Sequence, residues 1–268
     1  MTTNSEGLSH ETRPEKENPS RMLNISYLNG VSMSNRSYIE KFDDGPGGWY
    51  GWKNNFDGPK SLELSNGAIT SRSPWWIDYN HAPPGAGYLH MVFCLHTNGG
   101  APYTERYTEL AGINRFLEGG YPTDFTGARL TFRLRGELEA RAAQLVLLVQ
   151  GAVDGLTSGW LLRGRPLEVT SVWSEQAIIA DPDPSLWTCL GARHDRGKLY
   201  GTIELSSILK RANVNIMLAL FPLEIAPMGP LSGDPHRLRA GKDYAVWQSR
   251  LPEGYVMLDE VRIDFAKS

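Results

Sequence analysis

The sequence predicts an all-β protein whose strands form an antiparallel β-sandwich, or jelly roll, with one or two short helices in its loops. Roughly nine to eleven short apolar runs are separated by turn signals, a spacing typical of sandwiches and barrels. The 28 Gly and 17 Pro residues supply those turns, and the eight Trp and 11 Tyr residues favour strands. Helical periodicity is confined to short segments, so two packed sheets are the architecture that buries such strands.

The composition is that of a soluble globular protein, with 41% hydrophobic and 21% charged residues among 268. A formal charge of −3 gives no electrostatic reason to expect nucleic acid or a membrane as a partner. No apolar run approaches the roughly 18 residues of a membrane span and no apolar signal core is seen, so we expect a cytoplasmic protein. Cys94 and Cys189 are then expected as free thiols, with one long-range disulfide as the alternative for an exported protein.

The chain is predicted to hold one domain after a polar tail. Residues 1–21 contain one Leu and no aromatic residue, too little apolar surface to offset the entropy of ordering, so we expect a disordered tail. Residues 22–268 are predicted to form a single sandwich domain, since no linker or internal repeat divides them. Its long loops are placed at 99–124 and 222–250, and loops of this length are often functional.

The first elements are predicted from alternation and turn residues. A short strand begins at Tyr38 and runs into an acidic turn, an aromatic loop covers 46–52, and Asn66-Gly67 marks a hairpin. In the strand 88–96, alternation favours a core stripe on one face and polar groups on the other. The expected core stripe is Leu89, Met91, Phe93 and Leu95, and the opposite face is expected to carry Tyr88, His90, Val92, Cys94 and His96.

The middle of the chain continues the same pattern. In 128–135 the apolar residues Leu130, Phe132 and Leu134 are expected to face inward and Arg129, Arg133 and Arg135 outward. Further strands are predicted near 144–150, 159–163, 173–180 and 214–221. A short helix is predicted at 204–209, with Leu205, Ile208 and Leu209 on one side.

The last strand, 255–265, carries a carboxylate where alternation predicts an apolar face. Asp259 falls between Met257 and Val261 on that face. An uncompensated carboxylate in an apolar environment costs several kcal/mol or loses its charge. A bound cation or an Arg partner is therefore expected beside Asp259.

Both ends of the chain resemble galactose-binding-domain-like β-sandwiches, a superfamily that includes carbohydrate-binding modules. The resemblance rests on Ile39-Glu-Lys-Phe-Asp-Asp-Gly45 with the Trp loop after it, and on Leu258-Asp-Glu-Val-Arg-Ile263. In that superfamily the first and last strands are neighbours, and a calcium ion often lies near them. The resemblance therefore implies a structural calcium ion, whose expected ligands are Asp43, Asp44 and Asp259, with Glu40 as a further candidate. Calcium suits oxygen ligands from irregular loops, and a salt bridge at Asp259 is the alternative.

The leading functional hypothesis is recognition of a carbohydrate, or of a small polyhydroxylated or aromatic ligand, on the concave face of the sandwich. Aromatic rings stack on the apolar faces of sugars, and polar side chains bond their hydroxyl groups. The densest set of such groups lies in the segment 75–96. The expected ligand-binding residues are Trp49, Trp52, Trp75, Trp76, Tyr88, His96 and Arg133.

Two alternatives stay open. A free-standing lyase, cyclase or hydrolase would use acid–base side chains of the same region, and its candidate catalytic residues are Asp78, Tyr79, His81 and His90. No phosphate-binding loop, HExxH or GxSxG motif is present to support a specific enzyme class. The other alternative is a structural or assembly role.

Overall fold

The computed structural model describes residues 37–54, 58–78, 88–99, 105–191, 198–223, 229–230 and 251–266. All of them lie in one compact unit, residues 35–268. The strands are β1 (Ser37–Glu40), β2 (Trp49–Asn54), β3 (Gly58–Lys60), β4 (Glu63–Ser65), β5 (Ala68–Arg72), β6 (Ile77–Asp78), β7 (Tyr88–His96), β8 (Arg129–Glu139), β9 (Gln144–Val153), β10 (Leu156–Leu162), β11 (Ser174–Ile179), β12 (Trp187–Cys189), β13 (Asn215–Leu223) and β14 (Glu253–Asp264). The helices are α1 (Glu105–Ala111), α2 (Arg115–Glu118) and α3 (Leu205–Lys210).

The described strands form two antiparallel sheets, which confirms the predicted sandwich. The first sheet has the order β11-β8-β14-β5-β4, and β1 also pairs with β14. The second has the order β12-β10-β9-β13-β7-β2-β3, and β6 also pairs with β7. Because β1 pairs with the end of β14, the first and last described strands are neighbours.

The inter-sheet core is built from the facing sides of both sheets. Leu130, Phe132 and Leu134 of β8 are fully buried there, while Arg129 before them and Arg133 among them are exposed, as alternation predicts. Burial of this continuous apolar area is the main term favouring the folded state. The helix α3, predicted at nearly the same residues, buries its apolar side against this core, namely Leu205, Ile208 and Leu209.

β14 departs from simple alternation because it contains a β-bulge. Leu258 lies opposite Leu134 and Glu260 lies opposite Arg133, so Asp259 is the extra residue. The prediction that Asp259 lies on the apolar face is therefore wrong, because the bulge shifts the alternation by one and turns Asp259 to the outer face. The fully buried residues of β14 are Val256, Leu258, Val261 and Ile263.

A second bulge interrupts β7. Phe93 lies opposite Leu218 and Met91 lies opposite Ala219 on β13, which makes Val92 the extra residue. The alternation of inward and outward side chains is therefore reversed after Val92: odd-numbered residues face outward before it and inward after it. The predicted core stripe is wrong for this reason: Phe93 and Leu95 point into the inter-sheet core, whereas Leu89 and Met91 lie on the other face of the sheet.

That other face of the second sheet carries a buried outer apolar layer. Alternate residues of β9 and β13 contribute to it, and α1 packs on it through Tyr107 and Ala111. A face expected to be open to a ligand is thus buried. The outer apolar layer comprises Tyr50, Leu89, Met91, Cys94, Tyr107, Ala111, Val146, Leu148, Leu161, Leu190, Met217, Ala219 and Phe221.

The helices of the described ranges are short, and none of them has the length and apolar character needed to cross a membrane. Both cysteines, buried Cys94 and partly exposed Cys189, are free thiols.

Candidate ligand-binding cleft

A cleft of about 410 Å³ opens where β5 of the first sheet ends and β14 begins. One wall is the segment Ser73–Trp75 that follows β5, and another is Leu251–Gly254 at the start of β14. His90 of β7 in the second sheet completes the described lining. The cleft is therefore formed between the two sheets, and its volume is in the range of roughly 300–1,000 Å³ typical of small-molecule sites.

His90 is the buried polar group of this lining, with 1% of its surface exposed. Neither ring nitrogen makes a hydrogen bond of good geometry to the part of the chain that the structure describes; the Trp75 backbone comes near the ring without reaching the geometry of one. Burial lowers the pKa of His90 to about 4, against a smaller opposing effect of the Trp75 backbone. The imidazole is consequently neutral at physiological pH and offers one donor and one acceptor.

Trp75 fixes the orientation of this wall. Its indole lies edge-on to the His90 ring, with 6.4 Å between ring centroids. The indole N–H donates to Ser71 Oγ at 2.9 Å, which satisfies the one polar atom of a fully buried ring. Trp75 thus contributes rigidity to the cleft rather than an open stacking surface.

Two hydrogen bonds join the walls at the first sheet. Ser73 N–H donates to the Gly254 carbonyl at 2.9 Å, and Gly254 N–H donates to Ser73 Oγ at 3.1 Å. The Ser73 hydroxyl hydrogen stays available, because Oγ acts here as an acceptor. Glu253, beside this pair, is exposed and brings a carboxylate to the rim.

The other aromatic residues of the recognition hypothesis lie elsewhere. Trp49 is a fully buried core residue whose indole N–H donates to Tyr38 Oη at 3.1 Å. Trp52 and Trp76 are partly buried, with ring centroids 6.0 Å apart, at the margin of the outer apolar layer. These rings and Trp75 therefore do not line one common surface.

His96 packs against the outer apolar layer, on the side of the sheet away from His90. Its Nδ1 lies 3.2 Å from the Val214 carbonyl, which can only accept, so Nδ1 donates and Nε2 accepts from Tyr50 Oη at 3.1 Å. Tyr107 packs edge-on at 4.7 Å between ring centroids. Burial lowers the pKa of His96, partly opposed by its bond to Val214. His96 is a satisfied structural histidine in this arrangement.

Arg133 lies on a third surface, the outer face of the first sheet. It forms an ion pair with Asp259, and its guanidinium also lies 5.1 Å from the centroid of the Trp173 ring. Burial raises the pKa of Asp259, and the Arg133 charge opposes that rise. Of the two expected partners of Asp259, a cation or an arginine, the arginine is present, and Arg133 is separated from the cleft.

The expected calcium ligands are not brought together within the described ranges. Asp259 is held by Arg133, while Asp43 and Asp44 are exposed in the turn after β1. Glu40 is buried and ion-paired with Arg115. No three His, Cys, Asp or Glu side chains within these ranges could hold a metal ion together. Calcium stays a prediction that rests on the resemblance alone.

Several candidate residues lie outside what the structure describes. These are Tyr79, His81 and the side chains of Asp78 and Tyr88, whose backbones belong to β6 and β7. Their proposed catalytic and binding roles stay predictions.

Sequence reasoning missed the wall Leu251–Gly254. These residues lie between the predicted loop 222–250 and the predicted last strand, and no role was expected of them. A signal was available in Gly254, because a glycine near the start of a strand often marks a close backbone approach.

Comparison with protein-family models, with curated proteins and with solved structures finds no match to this chain.

Proposed function

We propose that this protein recognises a small polyhydroxylated ligand, such as a carbohydrate, in the cleft lined by His90. The observation that carries the proposal is the buried imidazole, since neither nitrogen has a hydrogen-bond partner among the described residues. A buried polar group without a partner costs about 1–3 kcal/mol. Ligand hydroxyl groups, which both donate and accept, would satisfy the two nitrogens and recover that energy.

The remaining lining supports the same class of ligand. Pro74, Leu251 and Pro252 provide apolar surface for the C–H groups of a sugar ring. Ser73 and Glu253 add a hydroxyl donor and a carboxylate acceptor. The cleft thus combines apolar surface with oriented polar groups, and both occur in small-molecule sites.

The lowered pKa of His90 suits this residue to ligand recognition rather than to acid–base catalysis. With its pKa lowered to about 4, only about one imidazole in a thousand carries a proton at neutral pH. General acid–base catalysis works best when the pKa lies near the working pH. The His90 side chain is therefore suited to hydrogen bonding, and an enzymatic role would have to rest on other residues.

Calorimetric titration with a panel of neutral monosaccharides and inositol tests this proposal. We expect at least one of them to bind with a dissociation constant in the micromolar to millimolar range, and His90→Phe to weaken binding at least tenfold. Phe keeps a planar aromatic ring, somewhat larger than imidazole, but cannot make the two hydrogen bonds, and an unmet ligand hydroxyl costs about 1–3 kcal/mol.

His96→Phe is the matched control, because it replaces a buried histidine of the same strand on the opposite side of the sheet. It should lower stability by breaking the Tyr50 bond and leave affinity unchanged in the folded protein. Equal losses of affinity in both variants, or no binding by the unmodified protein, would contradict the proposal.

A further inference from the structure

The rim of the cleft carries negative charge. Glu253 is the charged residue of the described lining, and Glu139 of β8 lies directly opposite it across the β8–β14 pair. Glu137, two residues away on the same face of β8, is also exposed. Glu139 is ion-paired with Arg141, whereas neither Glu253 nor Glu137 has an ion-pair partner among the described residues.

Among the described residues, the arginines near this rim are already engaged. Arg72, which precedes Ser73, forms an ion pair with Glu63 at 3.0 Å and lies over the Tyr255 ring. Arg135 lies over the Trp173 ring on the outer face. The described cleft lining itself contains neither Lys nor Arg. The electrostatic environment therefore disfavours an anionic ligand and favours a cationic one.

The deep part of the cleft adds an independent requirement. His90, 1% exposed and without a described partner, needs a group that can donate to one nitrogen or accept from the other. Hydroxyl groups do both, and an ammonium group donates only. A ligand that carries an ammonium group toward Glu253 and hydroxyl groups toward His90 complements both parts of the cleft.

We infer that the ligand is an amino sugar or a related cationic polyol, with its ammonium group at the Glu253 rim and its hydroxyl groups at His90. This inference rests on the proposed recognition of polyhydroxylated ligands and adds that the ligand carries a positive charge. Sugar acids and sugar phosphates, which would place a negative group beside Glu253, are expected to bind least well.

Titration with glucosamine, glucose and glucuronate tests the inference, because the three sugars share one ring and differ in charge. At about pH 6 the amine is mostly protonated. At about 0.01 M salt, where screening is weak, we expect glucosamine to bind roughly two- to fivefold more tightly than glucose, and glucuronate to bind more weakly than glucose. The preference is modest because the Glu253 carboxylate is exposed.

Glu253→Gln should remove most of this preference, so that glucosamine and glucose bind about equally, whereas glucose affinity itself should fall roughly twofold or less because the amide oxygen still accepts a hydrogen bond. Glu175→Gln is the control, since Glu175 is an exposed glutamate of β11, two strands away in the same sheet. Equal affinities for glucosamine and glucuronate, or a preference that survives Glu253→Gln, would overturn the charge inference while polyol recognition stands. Failure of all three sugars and of the neutral panel to bind would overturn both.

Discussion

Gly254→Ala is expected to lower the free energy of unfolding by about 3–4 kcal/mol, one of the two largest losses expected for a single substitution here. Gly254 has a φ of +127°, which side-chain-bearing residues rarely adopt. A Cβ atom at this position would also lie 1.9 Å from the Glu137 carbonyl oxygen, a backbone atom of the neighbouring strand. The clash could be relieved only by separating β14 from β8.

Gly45→Ala is the matched control for this variant. Gly45 has a similar φ of +116°, but a Cβ atom there would meet nothing within 4 Å. Its replacement should cost only the backbone strain, about 1–2 kcal/mol. Urea melts of both variants measure the difference, and equal losses would show that β8 and β14 do not approach as closely as described.

Arg115→Met is expected to lower the free energy of unfolding by about 3 kcal/mol at neutral pH, because it leaves a buried carboxylate without its counter-charge. The Glu40 side chain is 0% exposed, whereas that of its partner Arg115 is 34% exposed. Phe42 N–H also donates to Glu40 Oε1 at 2.9 Å, which compensates the charge only in part. The exposure of Arg115 places the expected loss at the lower end of values for buried ion pairs.

The loss should depend on pH in a defined direction. Burial raises the pKa of Glu40, and the Phe42 N–H group and Arg115 oppose that rise, so the pKa rises further in Arg115→Met. A carboxyl group whose pKa is higher in the folded than in the unfolded state binds its proton more tightly when folded. Its favourable contribution to stability is therefore complete below the unfolded pKa of about 4 and is lost as the pH rises through the folded pKa. The deficit of Arg115→Met should therefore shrink on acidification from about pH 8 to about pH 4.

Glu40→Gln combined with Arg115→Met supplies the control. The amide carries no charge to bury, so this double variant should be more stable than Arg115→Met at neutral pH and should lose the pH dependence of the deficit. A deficit that stays constant with pH, or is unchanged by Glu40→Gln, would contradict a buried carboxylate at this position.

The fold class and several elements could be predicted from the sequence because alternation is a local signal. Strand β8 shows this best: every second residue from Leu130 to Leu134 is buried, and Arg129 and Arg133 are exposed. Helix α3 was predicted to within one residue at each end, because its apolar residues follow helical spacing over a short, well-bounded segment.

The faces of β7 and β14 could not be predicted by the same rule. An extra residue at Val92 or Asp259 shifts the alternation by one, and the side chains beyond it change sides. A bulge is defined by the partner strand, which a single sequence does not identify. This is why His90 and His96, expected on one face, lie on opposite sides of the sheet.

The candidate site was predicted only in part for a related reason. His90 and Trp75 belong to the segment that the sequence marked as rich in functional groups, and they do lie together. Their partners in the cleft, Leu251–Gly254, are more than 150 residues away along the chain and are brought close by the pairing of β14 with β5. Such convergence depends on sheet topology rather than on any local motif.

The proposed function requires His90 to be a buried, neutral imidazole that contacts the ligand. Nuclear magnetic resonance of the imidazole nitrogens tests it directly, with the His90→Phe variant used to assign the His90 signals. We expect the His90 ring to stay neutral from about pH 8 to about pH 5 and to titrate at about 4. Glucosamine should shift the His90 nitrogens and leave those of His96 in place. A His90 titration near the ordinary value of about 6.5, or a ligand that perturbs His96 and not His90, would contradict the account.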